Sequence, residues 1–342
     1  MAETTTTPTP DDFATILGDA NILPLWGRYH DILPLEPTSP DNPMQWRWSD
    51  VGPFVERAAR DVSMENAVRR VLMLVHPAFN GQPFTTTNLF AGIQILEPGE
   101  AAPMHRHSPS AMRFIMQGGG GATMVNGQRC EMDDGDLILT PNWAWHEHFN
   151  DSDKRIVWLD ALDVPLASNL GTLFSEHTGS NEFPSDKSML SDDAFAAAGL
   201  VPVNDAPDMP YSPMFRYPWT RTITAFQDMP VDDDGAKRLR YTNPVDGGPV
   251  ILTLDSYAWE LSRGAETRTA RSSANAVCLV VDGEGVSQIG DETIQWQRND
   301  VFTVPHWRWA SHKAVSDTAH IFMFTDREVI KRLHFLREES RD

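Results

Sequence analysis

Cysteine is nearly absent: Cys130 and Cys278 are the two in 342 residues. Two thiols so far apart make neither a disulfide framework nor a thiolate metal cluster, and they suit a reducing compartment. Basic residues are also short. Lys plus Arg number 28 against 48 Asp plus Glu, a formal net charge of −20. Nucleic-acid backbones need clustered Lys and Arg, and anionic membranes need a basic face, so neither partner is expected. Long apolar runs are missing too; none reaches the roughly 18 residues a membrane span requires. The first residues, MAETTTTPTPDD, carry no basic or apolar leader pattern. A cytoplasmic location is therefore the expectation. What is present is 41% hydrophobic and 22% charged residues, a soluble globular balance. The chain is long enough for two or three domains or one large one. It also holds 11 Trp and 25 Pro, which suggests many turns and a β-rich fold rather than a helix bundle.

Residues 1–70 read as an N-terminal helical lead-in. The segment from Asp12 to Leu17 starts one helix, and VGPFVERAARD at 51–61 a second, with Pro53 in its first turn. From about residue 71 the pattern turns to short apolar or alternating runs, among them VLMLV, TNLFAGIQIL, MRFIMQG and DLILTP. Asn126-Gly127 joins two such runs and signals a two-residue hairpin. Residues 71–164 are thus a first β-domain of sandwich or barrel type. Residues 165–245, rich in Ser, Asp, Pro and Met, read as a connector with some helix at 192–200. Strand patterns return over 246–342, and DREVIKRLHFLREE near the end reads as a C-terminal helix.

The two strand-rich regions repeat one another. Gly99 precedes Gly118 by 19 residues and Pro141 by 42; Gly264 precedes Gly283 by 19 and Pro305 by 41. GDLILTPNWAWHEH at 135–148 aligns with NDVFTVPHWRWASH at 299–312, both carrying Pro-X-Trp-X-Trp after a strand. The tryptophans Trp143 and Trp145 read as packing groups that wall a barrel mouth.

The first copy carries the chemistry. His105 and His107 are two apart, so on a strand they share a face and can share one metal ion. His146 follows the turn at Pro141 and supplies a third imidazole. With Gly99, Gly118, Gly135 and Asn150 in register, these residues match the two halves of the cupin signature. The carboxylate usual after the histidine pair is missing, because residues 111 and 112 are Ala and Met. Three neutral nitrogens depart from the two-His-one-carboxylate pattern and leave a more positive metal, suited to an anionic chelating substrate. In the second copy the same register falls on Ala270, Ser272 and Ala310, which hold no metal. His312, the counterpart of His148, reads as a relic or core histidine.

The strings HRHS…MRFIMQGGG and LTPNWAWHEHFN resemble the gentisate 1,2-dioxygenase family, which includes salicylate and 1-hydroxy-2-naphthoate dioxygenases. The resemblance is continuous from about residue 69 to 160 and weaker over 250–325. It implies an all-β bicupin, two jelly-roll barrels with an N-terminal helical segment and a C-terminal helix. It implies ring fission between C1 and C2 of a 2-hydroxybenzoate-type acid by O2, with one Fe(II) per chain in a homotetramer. By position, the resemblance makes His105, His107 and His146 the iron ligands. It makes His148 a histidine beside the substrate and Arg113 the carboxylate-binding arginine, with Arg69 as a second. Gly92 and Gln94 fall on the pocket strand, and Asp160 supports the site by orienting His148 or an arginine. Phe90 stands where relatives commonly carry Tyr or Trp. Loss of that polar group suggests a shift from gentisate toward less polar salicylates or 1-hydroxy-2-naphthoate. Two other readings stay open on the residues alone: a metal-dependent cupin enzyme for a non-aromatic substrate, and a non-enzymatic two-barrel binding or storage protein.

Overall fold

The computed structural model describes residues 10–178, 191–197, 200–203 and 209–341. Two compact units divide the chain, Met1–Thr38 and Ser39–Asp342. The first contains the helices Pro10–Asp19 and Tyr29–Ile32. The second opens with the short strand Gln45–Trp46 and the helix Trp48–Asp61, the helix starting three residues earlier than the proline pattern suggested, and continues into the barrels.

Among the described residues the strands form four sheets, two per barrel. In the first barrel, Arg216–Tyr217, Leu137–Thr140, Ala111–Gln117, Ile156–Leu162, Phe90–Leu96 and Val71–Met73 lie side by side in that order. Facing them are Ser175–His177, Ala101–His107, His146–Asn150, Gly121–Val125 and Gln128–Glu131. The second barrel repeats this order with Val301–Val304, Ala276–Asp282, Thr318–Thr325, Asp255–Ser262 and Ala236–Arg240 in its larger sheet. Its smaller sheet runs Glu338–Arg341, Thr269–Ser272, Ala310–Ala314, Glu284–Ile289 and Glu292–Gln297. This is the bicupin architecture that the family resemblance implied, with the two related β-domains the repeat pointed to. Asn126 and Gly127 take φ 48° and 86°, both positive as a type I′ turn demands, and close the hairpin Val125↔Gln128.

The central strands of the first barrel's larger sheet are buried on both faces, and every residue of Phe90–Leu96 is buried. One core cluster draws on both barrels; Phe114 stacks on Phe322 with ring centroids 4.4 Å apart. Outer strands such as Glu284–Ile289 instead alternate buried and open positions.

Two buried aspartates staple the barrels reciprocally. Asp163, ending the first barrel, accepts from the Ser110 backbone N–H (2.8 Å) and from the Thr253 hydroxyl ahead of the second barrel. Asp326, ending the second, accepts from the Asn275 N–H (2.7 Å) and from the Asn88 amide (2.8 Å) ahead of the first. Burial pushes the Asp163 carboxyl up to about 6, against the pull of those two hydrogen bonds. A carboxyl raised in the fold favours folding below its ordinary pKa, and that contribution is lost as pH rises through about 6. Asp163→Asn removes the charge. Its stability relative to the native chain is expected to rise by about 1 kcal/mol from pH 5 to pH 8 in urea unfolding. A pH-independent difference would contradict this assignment.

Three sequence expectations change. The C-terminal helix is only Arg327–Arg332; His334 then takes φ 60° and the chain re-enters a sheet as Glu338–Arg341. Ion pairs explain the turn, since Glu338 meets Arg327 at 2.7 Å and Glu339 meets Arg271 at 2.7 Å. The helix expected at 192–200 is a single 3₁₀ turn, Asp192–Phe195, with 198–199 outside the described residues. The lead-in and the connector also supply edge strands. Gln45–Trp46 pairs with Val301–Val304, while Ser175–His177 and Arg216–Tyr217 join the first barrel.

Candidate metal centre and substrate cavity

The His-X-His pair lies on Ala101–His107, and His146 opens the neighbouring strand directly across from His105. The turn between them is clamped. Trp143 takes φ 61° and donates its N–H to the His107 carbonyl at 3.0 Å. Trp307 repeats the φ of 61° and donates to Ser272 at 2.6 Å. Neither Trp143 nor Trp145 lines the substrate cavity, contrary to expectation. Their rings hold Arg106, whose guanidinium lies 5.5 Å from Trp143 and 4.7 Å from Trp145. Arg271 sits the same way on Trp307 and Trp309, at 4.2 and 4.7 Å. The repeated Pro-X-Trp-X-Trp thus serves a cation–π seat for the residue between the two ligand positions, a contact of roughly 0.5–2 kcal/mol.

The three imidazoles meet. One ring nitrogen from each lies within 4.8 Å of the others, and this is the one such group of three among the described residues. His107 Nδ1–H donates to the Pro109 carbonyl at 2.7 Å, and His146 Nδ1–H to the Ala144 carbonyl at 2.9 Å. Each bond fixes the tautomer and turns an Nε2 lone pair inward. The Nε2 of His146 is buried with no hydrogen-bond partner among the described residues, as a metal ligand's donor atom should be. His105 Nδ1 lies 3.3 Å from the His146 carbonyl and 2.5 Å from Arg69 Nη2. The first contact suits an N–H and leaves Nε2 to a cation; the second takes the Nδ1 lone pair. Burial, then the Arg69, His107 and Arg113 charges, push His105 down to about 2. Burial chiefly pushes His107 down to about 4, with Arg113 and Arg69 adding to it. These imidazoles stay neutral at physiological pH, the state that binds metal. Ala111 and Met112 are fully buried apolar residues, so no carboxylate joins the set from there.

A cavity of about 510 Å³ opens beside the triad, within the usual size for a small-molecule site. Arg69, Phe90, Gln94, His105, His107, Arg113 and Asp160 line it, as sequence reasoning expected. Arg113 and Asp160 are register partners on adjacent strands, 3.3 Å apart and both buried. Asp160 also accepts from Trp158 Nε1 at 2.9 Å, so its support goes to an arginine rather than to His148. Arg113 donates a further hydrogen bond to Thr140. Gln94 is 2% exposed, and its Nε2 is a buried donor without a partner among the described residues. Arg69 enters through an unusual turn. Val68 takes φ 56° and ψ −43°, and the Arg69 N–H closes back on Ala67. A γ-turn with positive φ is strained for a β-branched residue, and it aims the next side chain at the cavity. Burial and the neighbouring Arg113 charge lower Arg69 to about 10, so it stays cationic.

Gly92 does not itself line the cavity; a Cβ there would lie 2.7 Å from Val71 Cγ1 and 3.1 Å from Phe90 Cζ. Its lack of a side chain lets Phe90 fold across the strand. Nor does His148 line the cavity, where it was expected beside the substrate: it is fully buried between His146 and Trp158, with ring centroids 5.6 and 5.4 Å away. Its Nδ1 bonds the Thr123 hydroxyl at 2.8 Å, and its Nε2 has no partner among the described residues. Its counterpart His312 repeats the arrangement with Ser287 at 2.7 Å, which explains a histidine surviving where the ligands are gone. Sequence reasoning missed Val71 and His177, which also line the cavity. The His177 ring stacks 5.9 Å from that of His105. His177 lay in the apparent connector, where no pattern pointed to it.

Fold and site together define a duplicated cupin with one intact three-imidazole centre. The cupin domain family matches residues 92–162. A gentisate 1,2-dioxygenase of Aquipseudomonas alcaligenes is 36% identical over 333 residues, covering 96% of this chain and 95% of its own. A 1-hydroxy-2-naphthoate 1,2-dioxygenase of Nocardioides is 33% identical over 306 residues, covering 87% and 78%. The crystal structure of a salicylate 1,2-dioxygenase from Pseudoaminobacter salicylatoxidans with gentisate superposes at TM-score 0.89. It is 30% identical, with 99% of this chain and 96% of that one covered. The chain belongs to the gentisate 1,2-dioxygenase family and is a ring-cleaving dioxygenase. No helix among the described residues is long and apolar enough to cross a membrane.

Proposed function

We propose that the barrel of residues 71–164 holds one Fe(II) on His105, His107 and His146 and opens a 2-hydroxybenzoate-type acid between C1 and C2. The observation that carries this reading is the meeting of three neutral imidazoles, two of which, His105 and His107, open onto a cavity also lined by Arg69 and Arg113. Two guanidiniums against the one Asp160 carboxylate leave a cationic pocket even before a divalent ion enters. Such a pocket selects an anion that brings its own compensating charge. Bound iron supplies activation of O2 and Lewis acidity toward the substrate's phenolic oxygen.

The chain's own residues do the rest. Arg69 and Arg113 hold the carboxylate and fix the ring's orientation. Gln94 Nε2 donates to a substrate oxygen, which satisfies its buried group. His148, held by Thr123, exchanges a proton with a substrate or oxygen atom through Nε2. Phe90 and Val71 form an apolar wall against the ring. The barrel of residues 246–342 takes no part in the chemistry. The working enzyme is a cytoplasmic homotetramer, an expectation drawn from the family.

Substrate choice is tested by oxygen uptake with gentisate, salicylate, substituted salicylates and 1-hydroxy-2-naphthoate on Fe(II)-loaded protein. Phe90→Tyr adds a hydroxyl to the pocket wall. It is expected to raise kcat/KM for gentisate relative to salicylate by several-fold, since a hydrogen-bonding site discriminates more sharply than an apolar one. An unchanged ratio would show that Phe90 does not set the preference.

A further inference from the structure

The second barrel lost its metal ligands but kept its cavity, which is larger, about 710 Å³. Strand register places it as the counterpart of the first. Ala270 pairs with Ala310 as His105 pairs with His146. Tyr257 pairs with Met323 as Gly92 pairs with Asp160, and Trp259 stands in the place of Gln94. Three imidazoles have become Ala270, Ser272 and Ala310, while a glycine, an amide and a carboxylate have become Tyr257, Trp259 and Met323. Such exchanges empty the metal end and build an aromatic wall.

The rest of the lining is cationic. Six arginines and two glutamates face this cavity, in a chain of net charge −20. The glutamates are taken: Glu338 pairs with Arg327 and Glu339 with Arg271, both at 2.7 Å. Arg238 and Arg240 are paired with aspartates, at 2.5 Å to Asp234 and 2.9 Å to Asp255. Arg268 and Arg308 make no ion pair among the described residues. Two lining donors are also buried without a hydrogen-bond partner among the described residues, Trp259 Nε1 and Arg308 Nε. Buried donors left unmet cost free energy unless a ligand meets them.

We infer that the second barrel is a metal-independent binding site for a small aromatic carboxylate. The ring lies against Tyr257, Trp259 and Met323, and the carboxylate is taken by Arg308 and Arg268. Aromatic faces and a surplus of guanidinium match that ligand class in shape and charge. The site needs neither metal nor turnover, so it stands or falls separately from the ring-opening reaction.

The test is calorimetric titration of the chelator-stripped full chain with salicylate. Two binding events per chain are expected. Arg113→Gln should weaken one and leave the other. Arg308→Gln should weaken the second by at least about tenfold. Ala310→Met, which fills the cavity, should remove the second event, with thermal unfolding checking that each variant is folded. A single event abolished by Arg113→Gln would overturn the inference. So would a second event untouched by both Arg308→Gln and Ala310→Met.

Discussion

His105→Ala is expected to abolish both iron binding and ring opening. His105 contributes one of three nitrogens, and no carboxylate stands ready to replace it, since Ala111 and Met112 occupy the usual position. Two imidazoles hold a divalent ion far more weakly than three. The loss should exceed the roughly 10–100-fold seen when only a residue supporting a ligand is removed. Metal content per chain and substrate-dependent oxygen uptake should therefore fall together. His148→Ala provides the contrast. His148 bonds Thr123 and lies outside the triad, so its loss should lower kcat while iron stays near one per chain. Loss of iron in His148→Ala would place that residue among the ligands.

Asp160→Ala is expected to cost about 3–5 kcal/mol of stability, because it strands the Arg113 guanidinium in the interior. Burial lowers Arg113's affinity for its proton and raises that of Asp160, and each partner offsets the other's shift. Trp158 Nε1 also loses its acceptor. Asp160→Asn can still accept from Trp158 and should destabilise less, while raising KM for the acid as Arg113 loses its anchor. Urea unfolding measures the first effect and steady-state kinetics the second. A change below 1 kcal/mol in Asp160→Ala would mean that Arg113 is held by Thr140 alone.

Much of this is legible in the sequence alone. His-X-His identified a strand face, and the Gly and Pro spacings aligned the two copies. The register His105↔His146 recurs as Ala270↔Ala310 because that alignment was right. Arg113 and Asp160 were singled out separately, but their pairing depends on which strands are neighbours, and one strand's residues do not record that. The short strands Gln45–Trp46, Ser175–His177 and Glu338–Arg341 had no pattern to read. Two to four residues at a sheet edge take their structure from the partner strand. For that reason His177 went unseen. For the same reason DREVIKRLHFLREE, helical by local preference, ended after Arg332 once Glu338 and Glu339 found Arg327 and Arg271. The tryptophan pair misled in another way. Trp143 and Trp145 are packing groups as expected, yet they seat Arg106 rather than wall the cavity.

The most direct test of the metal centre is removal and return of iron in the native chain. Oxygen uptake with a hydroxybenzoate would be recorded on the chelated protein and again after Fe(II) addition. Activity should vanish on chelation and recover as iron approaches one per chain. Turnover that persists in metal-free protein would contradict the proposed role of His105, His107 and His146.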